Sequence, residues 1–468
     1  NDLYNYYLAY AYELQNNDHE AINYYKSCIE LNGPNKIKAL NNIGGLYLRN
    51  NKTKTSLNFF LKAEELIEKD QIITNNIFLN YIKLKNHNKS DEYFIKSQKI
   101  NNEFIEFLYN KALYFILKEN FNEAIQILIK EKKNLKFLVI LIELYFNMGK
   151  EEEARLLFNE NEDKIKKDSK FFNFIGIRYL REGIFDEGWK YYEYRGSKII
   201  NKFENLKEWN GESLKNKNII VFSEQGLGDS IMFSKYVYSL SKDANKVFYL
   251  VNKNIINIFK QNEKNIKILS INDNIGEDCD YKISLGSLIK FYYKNNYNDK
   301  SLLIYKNKTE VNNWAKKLYK EKPNVGLVWS GSFNGPNQPF RSIPLKSLEK
   351  IFDLDINFYC LQNEIWDSDK QFFEKLKIYN FGNHNLYEIS MIIQNLDLVI
   401  AVDTSILHIS TILEKETWGI FNLYPDWRWG ELNNIDPYKT LTKFNQKKFN
   451  YWDDVINELH EKLKIKFG

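Results

Sequence analysis

Cysteine is scarce in this chain. The three present in 468 residues, Cys28, Cys279 and Cys360, lie far apart and in no paired spacing, so neither a disulfide framework nor a thiolate metal site has support, and a reducing, cytoplasmic setting is expected. Histidine is nearly as rare. The five, at positions 19, 87, 384, 408 and 460, never approach ligand spacing, and no bound metal is expected. Long apolar runs are missing too: the most apolar stretch, Phe137 to Phe146, has ten residues and contains Glu143, well short of the roughly 20 that span a bilayer. Nor does one sign of charge dominate. With 66 basic and 61 acidic residues the net charge is +5, and the lysines are spread without a basic block, which argues against a nucleic-acid partner or a polybasic membrane surface. Alanine is sparse while Asn, Lys and Ile dominate, a signature of codon composition before it is one of function.

What is present first is a repeat. Six times an aromatic is followed nine positions later by a small residue and four later by a bulky one, in a frame recurring every 30 to 35 residues: Tyr12/Ala21/Tyr25, Tyr47/Ser56/Phe60, Tyr81/Ser90/Phe94, Phe115/Ala124/Leu128, Tyr145/Ala154/Phe158 and Tyr179/Gly188/Tyr192. A repeat of that length is a two-helix unit whose small residue lets its helices approach closely. The pattern resembles a tetratricopeptide array, with Gly44 and Gly176 at its small position and the third and fourth repeats degenerate. Residues 1–195 are therefore expected to be an α-solenoid that holds a protein partner on its concave face. The chain begins at Asn1 inside a repeat, which reads as a piece of a longer protein.

At this length two to four domains are expected. A polar stretch, 196–217, is read as a linker, and after it strands and helices alternate, as in parallel sheets covered by helices. Strands are expected at Ile219 to Phe222, Lys246 to Val251 and Ile266 to Ser270, with helices at Asp229 to Ser241 and Ile255 to Gln261. A second series places strands at Asn324 to Trp329, Asn357 to Leu361, Ile378 to Asn380, Leu398 to Ala401 and Thr417 to Phe421, with helices near Glu310 to Tyr319, Leu345 to Phe352, Leu386 to Gln394 and Ser405 to Leu413. The α/β part thus divides into 218–308 and 309–468, with the last helix a candidate to pack back on the first half. Two such units create a cleft at the carboxyl ends of their strands, where ligands of open sheets bind.

Three segments could carry chemistry. The first strand runs into Ser223-Glu224-Gln225-Gly226-Leu227-Gly228-Asp229, where glycines permit close approach and Asp229 can cap free amides. That motif reads equally as a strand-to-helix turn. The second segment, Ser330-Gly331-Ser332 and a loop with Asn334, Gly335, Asn337, Arg341 and Ser342, offers hydroxyls, amides and one guanidinium, which suit a pyrophosphate without a metal; a flexible polar loop is the alternative. The third is Asp403-Thr404-Ser405 after a buried strand, with His408 one turn into the helix, where an Asp cap and an interior histidine are the plain account. Asp353/Asp355 and Asp367/Asp369 share Asp-x-Asp spacing but are read as solvated surface.

Taken in order, Glu224 to Asp229, Val325-Gly326-Leu327-Val328-Trp329-Ser330-Gly331, Arg341-Ser342-Ile343-Pro344-Leu345, Leu361-Gln362, Asp397 to Ile400, Val402 to Ser405, His408 and Asp426-Trp427-Arg428-Trp429 resemble bacterial tetratricopeptide-repeat glycosyltransferases related to the heptosyltransferases. Gly188-Trp189-Lys190-Tyr191-Tyr192-Glu193-Tyr194-Arg195 resembles the ending that joins repeats to enzyme in that group, and Trp209-Asn210-Gly211 its linker. The resemblance covers about residues 170 to 460. It implies a GT-B fold of two Rossmann-like halves, a nucleotide-sugar donor held by the C-terminal half, and an inverting, metal-independent transfer with no cofactor beyond that co-substrate. It further implies Asp229 as general base and a substrate-binding set of Gln225, Gly226, Gly228, Ser330, Gly331, Arg341, Ser342, Gln362, Asp403, Thr404, Ser405 and His408. Glu414 stands where related chains tend to have Gly, and Asn445 where a basic residue is usual.

The leading expectation is a cytoplasmic enzyme whose repeats hold a protein acceptor, of flagellin or surface-protein type, while its hydroxyls are modified. A saccharide or lipid-linked acceptor, with the repeats serving oligomerisation or recruitment, is the alternative. An inactive scaffold is a third reading, against which the joint presence of Asp229, Arg341, Asp403 and His408 speaks.

Overall fold

The computed structural model describes the chain except residues 16, 51, 196–202, 204, 260–264, 276–277, 294–306, 333–339 and 430–437. Most of the expected linker's first third, and the loop residues Asn334, Gly335 and Asn337, lie outside the described residues. Two compact units are present, one of Asn1–Leu144 and one of Tyr145–Gly331 with Phe340–Gly468.

The first unit is helical. Its helices follow the repeat frame as α1 (Asp2–Leu14), α2 (Asp18–Glu30), α3 (Lys36–Arg49), α4 (Thr53–Glu64), α5 (Gln71–Lys83), α6 (His87–Ile100), α7 (Ile105–Leu117) and α8 (Phe121–Lys130), followed by α9 (Leu135–Asn147). The small residues do what the spacing predicts. Ala21, Ser56, Ser90 and Ala124 are fully buried, and a Cβ on Gly44 would stand 2.7 Å from the Phe60 ring. Ser56 also donates its hydroxyl to the Gly44 carbonyl at 2.8 Å, satisfying a polar group inside the α3–α4 contact. The degenerate third and fourth repeats still form helix pairs, because Phe78, Phe94, Phe107 and Tyr114 stack between them.

The second unit opens with the remaining repeat helices, α10 (Glu151–Ile165), α11 (Phe172–Arg181) and α12 (Phe185–Tyr192). Leu180, Trp189 and Tyr192 belong to the same apolar core as the two sheets that follow, so the last repeat is built into this unit. The first sheet is wholly parallel, from β1 (Lys207–Glu208), β2 (Asn218–Phe222), β3 (Lys246–Val251), β4 (Ile266–Ser270) and β5 (Tyr281–Ser284), in the order β1-β5-β2-β3-β4. Part of the stretch read as linker therefore contributes an edge strand. The second sheet is also parallel, from β6 (Asn324–Val328), β7 (Asn357–Cys360), β8 (Ile378–Asn380), β9 (Leu398–Val402), β10 (Thr417–Phe421) and β11 (Leu441–Asn445), in the order β11-β10-β9-β6-β7-β8. A helical repeat region followed by two parallel α/β halves is the architecture that the resemblance implied.

The helices around the sheets differ in detail from the expectation. The segment after β2 is two helices, α13 (Leu227–Met232) and α14 (Ser234–Ser241), divided at Phe233. Segments Lys253–Ile258 and Leu345–Asp353 are tighter 3₁₀ turns. Four more helices cover the sheets, α15 (Leu285–Tyr292), α16 (Lys308–Ala315), α17 (Asp367–Phe373) and α18 (Leu386–Ile393), before α19 (Ser405–Ile412) and α20 (Asp453–Phe467). The last helix, α20, packs on the Leu345–Asp353 turns and on β11, both in the second half, with Lys350 donating to Asn457 at 2.7 Å. Among the described residues no helix is long and apolar enough to cross a membrane.

Candidate active site

Each sheet has one point where the chain reverses its direction of growth. From β2 it proceeds outward to β3 and β4 and then returns to place β5 on the other side of β2. From β6 it proceeds to β7 and β8 and then returns to place β9 on the other side of β6. Loops leaving such a switch point diverge and leave a crevice at the carboxyl ends of the strands. The loop after β2 carries Gln225 to Asp229, and the segments after β6 and β9 carry Ser330–Gly331 and Asp403–Ser405. The halves meet where α13 packs on α19. Gly228 is required there: a Cβ would lie 2.9 Å from His408 Cδ2 and 3.6 Å from Ser405 Cα.

Asp229 has two engagements. Its Oδ2 accepts from the Gly226 amide at 3.0 Å, the helix cap anticipated for this turn. Its Oδ1 lies 2.8 Å from Arg428 Nη2, across the interface between halves. Arg428 follows β10; its Nη1 donates to Asp426 at 2.7 Å and its Nη2 to Gln225 Oε1 at 3.0 Å. Burial works against the Arg428 charge, but Asp229 and Asp426 outweigh it and hold the guanidinium well above its ordinary pKa. In the sequence Arg428 stands within the Asp426-Trp427-Arg428-Trp429 motif with no expected role of its own.

The second half supplies the complementary groups. Arg341 is half-buried, its buried Nε has no hydrogen-bond partner among the described residues, and burial lowers its pKa against the opposing pull of Asp403, Asp426 and Asp229. Thr404 precedes α19, and its Oγ1 is likewise buried without a partner. Asp403 is raised by burial and then by the charge of Asp426, with Arg341 pulling the other way. Its side chain keeps 22% exposure and stands 3.8 Å from His408 Nε2. His408 is an interior histidine as the plain account had it, bonded through Nδ1 to Tyr438 Oη at 2.9 Å and stacked on Trp429.

Other expected residues stand behind the crevice. Gln362 Oε1 accepts from the Trp329 and Ser330 amides, and its Nε2 donates to Ser330 Oγ and the Glu364 carbonyl. Both lone pairs and both hydrogens of that amide are thereby used, and Gln362 braces the loop after β6. Ser342 Oγ accepts from the Gly331 amide at 3.3 Å and shares in that brace. Asp369, read as solvated, is also corrected. It is buried and accepts from Trp329 Nε1 at 2.8 Å and the Leu345 amide at 3.1 Å, whereas its neighbour Asp367 is exposed.

Glu414, where Gly was expected, takes a left-handed φ of 62° after α19. Such a position favours glycine for steric reasons, so this departure bears on the helix end. Among the described residues no group of three or more His, Cys, Asp or Glu is arranged to hold a metal.

Comparison with known proteins gives two kinds of likeness. Residues 4–35 match the family model of the tetratricopeptide repeat. No curated protein matches the chain by sequence. Among solved structures, a tetratricopeptide repeat protein from Parabacteroides merdae is 19% identical, covering 43% of this chain and 82% of its own, with a TM-score of 0.38. The ADP-heptose lipopolysaccharide heptosyltransferase II of E. coli is 10% identical over 53% of this chain and 98% of its own, with a TM-score of 0.39. A glycosyl transferase family 9 protein from Veillonella parvula is 12% identical over 54% and 90%, with a TM-score of 0.40.

Proposed function

We propose that this protein is a glycosyltransferase that moves a sugar from a nucleotide-sugar donor, held by the second α/β half, to a hydroxyl of an acceptor approaching from the first. One observation carries the reading: at the two switch points, Asp229 stands on one half while Arg341 Nε and Thr404 Oγ1 lie buried on the other, without a hydrogen-bond partner among the described residues. Buried donors left unpaired are costly. The oxygens of a nucleoside diphosphate would satisfy them, since guanidinium and hydroxyl groups are the usual donors to phosphate.

In this reading Asp229 takes the acceptor's hydroxyl proton. The freed oxygen bonds to the anomeric carbon as the bond from that carbon to the donor phosphate breaks, and the nucleoside diphosphate departs with the electron pair. Attack opposite the leaving group inverts the anomeric centre. Arg341 and the amides at the start of α19 offset the charge that develops on the phosphate, so the step is assigned neither a divalent ion nor a further cofactor. Ser405 and Asp403 are assigned to the donor side, and Gly226 and Gly228 to the close approach between the halves.

For the acceptor the reading favours a polypeptide of the flagellin or surface-protein type, supported by the tetratricopeptide match at residues 4–35 and by the merging of the last repeat with the α/β core. A screen of the full chain against ADP-, UDP-, GDP- and CMP-linked sugars tests the function. Binding to the native state alone stabilises by about 2.7 kcal/mol at a hundred times Kd, so one donor class is expected to raise the melting temperature by several degrees and to release its nucleotide. A chain that neither shifts nor turns over with any of them is not a glycosyltransferase. One that binds a donor but never turns over is the inactive scaffold.

A further inference from the structure

The reading above leaves one buried set of contacts unused. Helices α11 and α12 pack so closely that a Cβ on Gly176 would stand 2.5 Å from the Tyr192 amide nitrogen. This seats the Tyr192 ring, 1% exposed, edge-on against Trp189 and Trp427. The Tyr192 hydroxyl accepts from Gln225 Nε2 at 2.6 Å and from Arg428 Nη2 at 3.4 Å. The same Nη2 reaches Gln225 Oε1 at 3.0 Å and Asp229 Oδ1 at 2.8 Å, while Nη1 is fixed by Asp426 at 2.7 Å. Three distant parts of the chain, the last repeat, the loop after β2 and the loop after β10, therefore converge on one guanidinium.

We infer that Arg428 and Tyr192 are positioning residues for Asp229: the fork of Arg428 orients the carboxylate, and a hydroxyl from the last helical repeat orients the fork. The inference rests on the assignment of Asp229 as the base. One oxygen of that carboxylate is tied only to its own helix turn through the Gly226 amide, which leaves the group's facing to its second partner. A planar fork holds several acceptors at fixed angles, which a lysine ammonium, a compact point charge, does not. The last repeat is on this account part of the catalytic unit, because Tyr192 belongs to it.

The test uses the full chain and measures nucleoside diphosphate release from ADP-glucose, UDP-glucose, UDP-N-acetylglucosamine and GDP-mannose, separating kcat from KM. Arg428→Gln should lower kcat about 100-fold, the scale of a misplacement near 1 Å, with the donor KM within about twofold of wild type, because an interaction felt only in the transition state lowers kcat and kcat/KM equally. Tyr192→Phe, which keeps the ring and so the packing, should lower kcat roughly threefold to tenfold, the worth of one hydrogen bond. Arg428→Lys should recover part of the loss. In an Asp229→Ala background, Arg428→Gln should cost nothing further, since residues acting through one group are not additive. Equal losses with and without Asp229, or a Tyr192→Phe chain with wild-type kcat, overturn the inference while the glycosyltransferase reading stands. A wild-type chain that turns over none of the four donors removes that reading, and the inference falls with it.

Discussion

Replacing Glu224 by alanine should destabilise the second unit by about 3–5 kcal/mol, the usual cost of breaking a buried ion pair from one side. Glu224 is fully buried and accepts from Arg195 Nε at 2.8 Å and from the Gly286 amide at 3.1 Å. Arg195, 6% exposed, also donates to the Tyr192 carbonyl and to the hydroxyls of Ser284 and Ser287. Those neutral acceptors remain after the substitution, but the charge loses its main counter-ion, because Glu193 stands at 3.9 Å and is much more exposed. All nine tryptophans lie between positions 189 and 452, so tryptophan fluorescence reports the second unit without contribution from the first. At about 2 °C per kcal/mol for a unit of this size, the fluorescence midpoint should fall by about 6–10 °C. The double replacement Glu224→Leu with Arg195→Met, which removes both charges, should lose less than the single one. A single-variant shift below about 2 °C, which corresponds to about 1 kcal/mol, would refute the claim that this pair fastens the last repeat to the first sheet.

Glu414→Gly should stabilise the second unit by about 1 kcal/mol, because the left-handed φ of 62° at this exposed site strains a side chain and not glycine; the same fluorescence melt checks it. Asp403 has its pKa raised by burial and by Asp426, so the native state binds its proton more tightly than the unfolded chain does. Its stabilising contribution is therefore complete below the unfolded pKa, about 3.9, and is lost as pH rises through the higher folded value. Asp403→Asn should accordingly raise the melting temperature at pH 7 and leave it unchanged near pH 3, and a gain of equal size at both pH values would contradict this.

The interior strands β3 and β10 were legible because parallel strands buried on both faces read as continuous apolar runs, and the edge strands β4 and β8 also fall where their residues predict. The strands that escaped are the ones whose chemistry disguises them. β5 contains Lys282, buried because its Nζ reaches the Phe203 carbonyl at 2.8 Å, and β11 is an edge strand with exposed Thr442. At the candidate site, the positions of Asp229, Gly228, Asp403 and Thr404 were legible from local motifs, since each lies at a strand end or helix start. Asp369 was misread, and the brace that Gln362 gives the Trp329 backbone went unseen, because a side chain's partners are not encoded in its neighbours. Arg428 joins groups about 200 residues away in the chain. Its one local signal was an always-charged side chain between Trp427 and Trp429, which burial obliges to find carboxylates.

Calorimetric titration tests the proposal that Arg341 forms the anion cradle for the phosphates of a nucleotide sugar. With the donor that stabilises the wild-type chain, Arg341→Ala should bind roughly 10- to 150-fold more weakly, the loss of one charge-assisted hydrogen bond, with its tryptophan-monitored melting temperature unchanged in the absence of donor. A variant that binds the same donor within about twofold of wild type, too little for a lost charge-assisted bond, would contradict the account.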